Sequence, residues 1–555
     1  MPRYTIGLDY GTNSVRGLLV DVDSGEEIAT HVFGYPHGKA GVVESERDPD
    51  LARQHPQDYL DGAAAVIRAV VDEAGKKPGF STSQVIGIGV DTTGSTPIPV
   101  DSAGTPLAMT PKYANNPAAM AYLWKDHTGH AEAVEITALA AKMRPQYLAK
   151  CGGTYSAEWF WAKILRSKRA DPEVFDAAYT WVEHADWLPA VLTGETHPDK
   201  LKRGICAAGH KAMFHPSWGG YPDEEFLSAL DPALARVRRT LPDRAYPVGV
   251  SAGGLSPEWA QKTGLPAGIP VSVGAFDAHL GGVGSGIKPG ALVKNIGTST
   301  CDMMVSPLTG NLGDIPGLCG IVPESILPGF FGLEAGQSAV GDIFNWFVNE
   351  VQPAGKGHQE LTAEAEKLKP GESGLLALDW HNGNRTILVD QRLTGAVIGL
   401  NLHTSPAELY RAWIEATAFG ARVIMERFEE YGQKVESIIN CGGISVKNPL
   451  VMQIYADIMG RPISISRSTQ TAALGAAIAG AVAAGAYPDF ADAMKAMTGL
   501  QPRTFTPDPA SRRVYDKLYV IYRKVHDAFG VSGTREDLSK VMKELLTIRD
   551  EARNG

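Results

Sequence analysis

Asp9 lies near the end of an apolar run that begins at Ile6, and a small, hydroxyl-rich turn follows it, Gly11-Thr12-Asn13-Ser14, before a second apolar run ends at Asp21. Residues of these types can hold a metal-bound phosphate. Backbone N–H groups and hydroxyls of the turn wrap phosphate oxygens, while a carboxylate at the strand end faces Mg²⁺, usually through water. An ordinary hairpin with a solvated Asp fits the same local pattern, because Gly and Asn also serve tight turns for steric reasons. A second hairpin has the same form: Ala291 to Ile296 leads into Gly297-Thr298-Ser299-Thr300. Asp277 follows the strand-like Pro270 to Gly274 and precedes a small-residue segment, so its carboxylate is either a general base at a strand end or a helix N-cap. Gly442 and Gly443, after the apolar stretch Glu436 to Cys441, permit a close backbone approach to a ligand or simply make a turn. The chain has no GxxxxGK[ST] phosphate loop and no GxGxxG turn after its first strand, which argues against a P-loop kinase and a dinucleotide-binding dehydrogenase.

These groups need strands to carry them. The first hundred residues read as strand, turn, strand, a helix over Pro56 to Glu73, and an apolar strand from Val85 to Val90 that ends at Asp91, an α/β pattern. An aromatic-rich region from Tyr113 to Tyr246 follows. Later, Leu409, Trp413, Ala416, Phe419 and Val423 recur at helical spacing within Pro406 to Gly432, the buried face of a helix. Asn448 to Gly460 and Glu536 to Ala552 also read as helical. One Gly-Thr hairpin near the start of each half predicts a duplicated architecture with its boundary near Ile287 to Gly290, giving domains 1–288 and 289–555.

At 555 residues the chain is too long for one core. Hydrophobic residues at 44% and charged residues at 21% describe a globular protein. A formal charge of -10 argues against a general nucleic-acid or anionic-membrane binder. The start of the chain has no signal-peptide pattern, and the Ala/Gly-rich run Ala472 to Ala486 reads as a tightly packed helix. Cys151, Cys206, Cys301, Cys319 and Cys441 are odd in number and far apart, which points to reduced thiols in the cytoplasm. No HExxH or clustered Cys/His pattern supports zinc, so the histidines read as surface or hydrogen-bonded core residues.

With both hairpins, Phe276-Asp277 and Cys441-Gly442-Gly443 in order, the chain resembles the FGGY family of carbohydrate kinases over most of its length. Gly209-His210-Lys211, Gly332-Leu333-Glu334-Ala335-Gly336-Gln337 and Gln470-Thr471-Ala472-Ala473-Leu474-Gly475-Ala476-Ala477 bring it nearest to members that act on L-ribulose. The resemblance implies an α/β fold of two ribonuclease-H-like, actin-like domains around a cleft for ATP and sugar. It implies Asp277 as catalytic base, Asp9 at Mg²⁺, and Thr12, Asn13 and Ser14 at phosphate, with Thr298, Gly336, Gly443 and Lys447 at ATP. Gly94, Lys211, Asp277 and Glu334 are implied at the ketopentose. Trp124 and Asp126 resemble a sugar-side element that lacks its following arginine, and they stand as unassigned cleft candidates beside Arg16. The implied reaction is phosphorylation of L-ribulose at its C5 hydroxyl by ATP, in arabinose use. D-ribulose, xylulose or a related polyol are the nearest alternative substrates, and an actin-like ATPase switch is the alternative of a different class. The expected partners are small molecules, with no nucleic acid and no membrane; self-association is compatible with the sequence.

Overall fold

A computed structural model describes residues 2–310, 312–352 and 355–554. Two seven-stranded sheets succeed one another along the chain. The first contains β1 (Tyr4–Tyr10), β2 (Ser14–Asp21), β3 (Glu27–Gly34), β4 (Val85–Thr92), β5 (Ser251–Gly254), β6 (Pro270–Ser272) and β7 (Ala275–Phe276), in the order β5-β6-β4-β1-β2-β3, with β7 also paired to β4. The second contains β8 (Ala291–Ile296), β9 (Thr300–Pro307), β10 (Gly320–Pro323), β11 (Phe330–Ala335), β12 (Ser437–Cys441), β13 (Ile463–Ser466) and β14 (Leu500–Phe505), in the order β10-β11-β9-β8-β12-β13-β14. Each sheet sets an antiparallel hairpin, β1–β2 or β8–β9, beside a parallel strand, β4 or β12. That arrangement is the expected two-sheet α/β architecture.

Six helices position the groups of interest: α1 (Pro56–Gly75), α2 (Ile205–Lys211), α3 (Asp277–Gly284), α4 (Pro406–Glu430), α5 (Gly443–Lys447) and α6 (Thr471–Ala483). α1 starts where the His55 side chain accepts the Gln57 N–H and Pro56 pre-sets the first turn. Its buried Tyr59, Ala63, Val66, Ile67 and Val70 cover Ile6, Leu8 and Tyr10, the even-numbered face of β1. α4 opens with a Ser405/Glu408 capping box and buries Trp413, Ala416, Phe419 and Val423, the expected stripe; Leu409 packs at its margin.

The odd-numbered face of β1 is built differently. A Cβ at Gly7 would lie 1.8 Å from the Ala473 carbonyl oxygen, and one at Gly89 of β4 would lie 1.7 Å from that of Ala476, so α6 lies directly on the backbone of the first sheet. The Ala/Gly run is therefore a packed helix, as expected, and it carries the second half of the chain onto the first. Among the described residues no helix is long and apolar enough to cross a membrane. The other expected elements shift only at their ends: a helix spans Pro449–Met459, and the last helix is Val541–Asn554. The strand expected over Pro270 to Gly274 ends early, as β6 at Ser272, and the separate strand β7 follows. Gly274 presses against Ala185, whose carbonyl oxygen would be 2.1 Å from an added Cβ, and the chain re-enters the sheet one residue later.

Candidate active site

Side chains alternate along a strand, so Gly7 and Asp9 share one face of β1, and Gly87, Gly89 and Asp91 share the same face of β4. α6 covers the glycines, and the acids follow them at the strand tips. The β1–β4 register puts Asp9 beside Asp91. Asp277 stands at the first turn of α3, with Phe276 in the N-cap place, and its Oδ1 accepts the Ala278 N–H at 2.7 Å. Burial, then Asp9, push the Asp277 carboxyl up to about 7, against the Ala278 bond and His279. Burial also drives Asp91 well above the carboxylate range, with Asp9 and Asp277 adding to the effect. Both Asp91 oxygens are buried and meet no N–H or hydroxyl donor. Burial raises Asp9 as well, while its neighbour Asp91 and Arg16, 4.0 Å away, act in the opposite direction. Arg16 thus belongs to the site's electrostatics. Three acids under this strain are suited to a hard divalent cation and to proton acceptance.

The turn after β1 is braced from outside. Gln54 Nε2 donates to the Thr12 carbonyl at 2.7 Å, Trp124 Nε1 donates to Thr12 Oγ1 at 3.0 Å, and Asn13 Nδ2 donates to the Ala40 carbonyl at 2.6 Å. Gly11 N–H closes the turn on the Ser14 carbonyl at 2.9 Å. Trp124, one of the two unassigned candidates, therefore braces the turn after β1. Asp126 does not: it is buried, pairs with Arg53 and accepts the Ala52 N–H at 2.7 Å, which makes it part of the packing behind the cleft.

A second group of residues adjoins Asp277. A Cβ on Gly94 would collide with the Phe276 ring at 1.7 Å, so this position stays open only as glycine. The Lys211 ammonium stands 5.8 Å from the Phe276 ring centroid and 5.4 Å from that of Trp159. Lys211 Nζ donates to Glu334 Oε1 at 3.0 Å, and both side chains are buried. Against the cost of burial, Lys211, His279 and His210 hold Glu334 well below the usual carboxylate range, and Glu334 pushes Lys211 up to about 12. Gly94, Lys211, Asp277 and Glu334 thus come together on one wall, with Lys211 from the first half and Glu334 from the second. Behind Gly94, Lys163 Nζ donates to the Ser95 and Leu123 carbonyls at 2.8 Å each, and Glu183 accepts the Thr96 N–H at 2.7 Å. Burial pushes Lys163 down and Glu183 up.

The remaining expected residues gather around the second hairpin. Thr298 is exposed in its turn, and its carbonyl accepts the Val340 and Asp342 N–H groups at 2.8 and 3.1 Å. Gly442 has φ +91° and sits against the Ile296 carbonyl, opening α5 with Gly443 exposed beside it. Gly336 ends the same wall: its N–H donates to Thr386 Oγ1 at 2.9 Å, and a Cβ there would lie 2.1 Å from the Thr300 carbonyl oxygen. Lys447 is exposed at the far end of α5, and its side chain makes no hydrogen bond or ion pair among the described residues.

Residues 4–284 match the N-terminal domain of the FGGY family of carbohydrate kinases, and residues 292–484 match the C-terminal domain. The chain belongs to the FGGY family. Among curated FGGY kinases it is 43% identical to a ribulokinase from Vibrio parahaemolyticus, over 97% of this chain and 99% of that one. It is 40% identical to a ribulokinase from Mycolicibacterium smegmatis, over 99% and 97%. Solved structures of similar fold include a gluconate kinase from Lactobacillus acidophilus (TM-score 0.78, 20% identity, 96% of this chain and 99% of that one) and a Plasmodium falciparum glycerol kinase with ADP (TM-score 0.76, 16% identity, 96% and 99%). The expected actin-like fold of the FGGY kinases is the fold found.

Sequence reasoning passed over Asp91, His210, His279, Lys163 and Glu183. Asp91 carried a signal, since Gly87-x-Gly89-x-Asp91 repeats the spacing of Gly7-x-Asp9. His279 and His210 adjoin Asp277 and Lys211, but no local pattern distinguishes them from core histidines.

Proposed function

We propose that this carbohydrate kinase transfers the γ-phosphoryl group of Mg-ATP to the C5 hydroxyl of L-ribulose, giving L-ribulose 5-phosphate and ADP. The observation that carries the reading is the buried Lys211–Glu334 pair beside Asp277, on the wall that Gly94 keeps open. A polyol loses water on entering such a site, and a charged donor and acceptor fixed beside a base replace it directionally. The ribulokinase relatives supply the substrate class.

Asp277 accepts the proton of the C5 hydroxyl as that oxygen attacks the γ-phosphorus, and ADP leaves in line. A base that titrates near 7 is matched to that task. Asp9 and Asp91 would hold Mg²⁺, for which the donor-poor Asp91 oxygens are suited; the ion supplies charge neutralisation at the phosphate oxygens. Thr12, Asn13 and Ser14 bind phosphate from the first half, and Thr298 does so from the second. Gly336 and Gly443 admit the nucleoside, and Lys447 contributes charge at the margin. In this reading residues 1–288 carry the base and most of the sugar wall, residues 289–555 carry the nucleotide, and the enzyme works in the cytoplasm. Closure of the halves excludes water from the transfer.

The test is ADP release with Mg-ATP against L-ribulose, D-ribulose, L-xylulose, D-xylulose and glycerol, with a no-sugar control. Preference for L-ribulose is expected. Preference for another polyol would replace the substrate and keep the chemistry, whereas a sugar-independent rate would favour an actin-like ATPase switch.

A further inference from the structure

Resting on that reading, in which Glu334 receives a sugar hydroxyl, we propose that His210 and His279 are positioning residues that clamp Glu334 across the two halves and thereby set which ketopentose epimer the site accepts. Glu334 Oε1 is held by Lys211. Its Oε2 lies at ion-pair distance from His210 Nδ1 (3.2 Å) and His279 Nε2 (3.1 Å), though neither contact has hydrogen-bond geometry, and neither nitrogen has another partner among the described residues. The opposite nitrogen of each ring is anchored: His279 Nδ1 lies 2.9 Å from Cys206 Sγ, and His210 Nε2 lies 2.9 Å from Ser325 Oγ. Neither imidazole can turn away from Glu334 without losing that anchor, and all six side chains are buried. The strand next to Glu334 leaves space for the clamp, because Gly320 pairs with Glu334 and a Cβ on it would lie 2.0 Å from His210 Nδ1.

The clamp also spans the site's two origins. His210 lies in the last turn of α2 and His279 in the first turn of α3, two residues beyond Asp277, whereas Glu334 and Ser325 come from the second half. The distance from the base to the sugar's acceptor is therefore fixed through one helical turn and one imidazole. Discrimination between epimers rests on a hydrogen-bonding group that cannot follow a displaced hydroxyl, since a mismatched hydroxyl leaves a buried polar group unpaired. Two histidines and a carboxylate this close also form a donor set for a metal ion. The Lys211 ammonium already balances Glu334 there and would repel a divalent cation, so the geometry is that of a clamp.

The test compares variants that remove the facing nitrogen with variants that keep it. His279→Gln places an amide nitrogen near Nε2 and His210→Asn places one near Nδ1, while His279→Leu and His210→Leu supply none. The readouts are kcat and KM for L-ribulose and for its C3 epimer L-xylulose, with KM for ATP measured alongside. The leucine variants are expected to raise KM for L-ribulose and to lower the L-ribulose to L-xylulose ratio of kcat/KM by about tenfold, with KM for ATP within about twofold; the amide variants keep the ratio within about threefold. If a leucine variant does not fold, the misplaced amides His279→Asn and His210→Gln take its place and should lose the ratio. An unchanged ratio in the leucine or misplaced-amide variants would overturn the clamp, as would equal losses for sugar and ATP, or a stoichiometric transition metal in the purified protein. If the wild-type enzyme prefers another ketopentose, the substrate assignment fails on its own. The clamp is then tested on that sugar and its C3 epimer.

Discussion

The two hairpins share a backbone plan and differ in charge. β1–β2 beside β4 brings Asp9 next to Asp91, whereas β8–β9 beside β12 brings Asn295 next to Cys441. The first pair concentrates negative charge at a strand tip and suits a cation. The second has an amide and a thiol at that register position and exposes Thr298 in its turn, so its strand tip lacks the acidic pair. Two unit charges about 4 Å apart interact by about 4 kcal/mol at an effective dielectric of about 20, so this one register position sets how strongly each hairpin tip attracts a cation. The second half keeps its own charges inside the sheet, where Lys294 and Asp302 pair across β8 and β9. One strand arrangement therefore carries two different charge patterns through the residue at a single register position.

The largest way to break this asymmetry is to remove the proposed base beside the acidic tip. Asp277→Asn is expected to lower turnover by about 10²- to 10⁴-fold with the thermal transition retained, and near-normal turnover would take Asp277 out of the mechanism. Exchanging the hairpins' characters comes next. Asp9→Asn should shift the Mg²⁺ concentration for half-activation by about 10- to 100-fold, and Asn295→Asp should raise KM for ATP by about tenfold; an unchanged Mg²⁺ dependence would deny Asp9 its assignment. The pH profile sharpens the same contrast. As the proposed base Asp277 works unprotonated, and burial and Asp9 push it up to about 7, so kcat/KM should fall about tenfold per unit as pH drops below 7, where an unperturbed carboxylate would hold its activity down to about 4.

Asp91→Asn is expected to stabilise the fold while slowing the reaction. Asp91 keeps its proton in the folded protein well above the usual carboxylate range, so its favourable contribution is present at low pH and is lost as pH rises through the folded value. In metal-free buffer at neutral pH the variant should gain about 0.5–2 kcal/mol, and the gain should shrink towards pH 4; a destabilised variant at neutral pH would contradict the account. The smallest effect is expected from Lys447→Ala, within about twofold in KM for ATP, because that side chain is exposed and unpaired. A tenfold loss would bring it into the nucleotide site.

The hairpins were legible in the sequence because a Gly-Thr turn between apolar runs has few structural meanings, and the helix stripe around Trp413 was legible because its period is local. Asp277 was ambiguous on local grounds, since a residue that opens a helix and one that serves a cleft read alike; the family pattern separated them. Asp91 was visible only as a strand end, because its meaning lies in a parallel register with β1 some eighty residues away. The histidine clamp was hidden for a similar reason: α2, α3 and β11 meet only in three dimensions. Asp126 read as a cleft residue because it neighbours Trp124, but its side chain turns inward to Arg53.

α6 completes the first sheet's core by resting on Gly7, Gly87 and Gly89, yet it is encoded nearly four hundred residues after the last of these. At about 5–20 residues per second, a ribosome needs on the order of 20 to 80 seconds to reach it after β4 has emerged. Throughout that interval one face of the first sheet stays uncovered, so the first half cannot finish folding as an independent unit during synthesis. A chain arrested before residue 471 should be recognised by chaperones and proteases as unfinished, however complete its first sheet. The same packing that joins the two halves of the chain therefore makes assembly of the enzyme wait for nearly the whole message to be read.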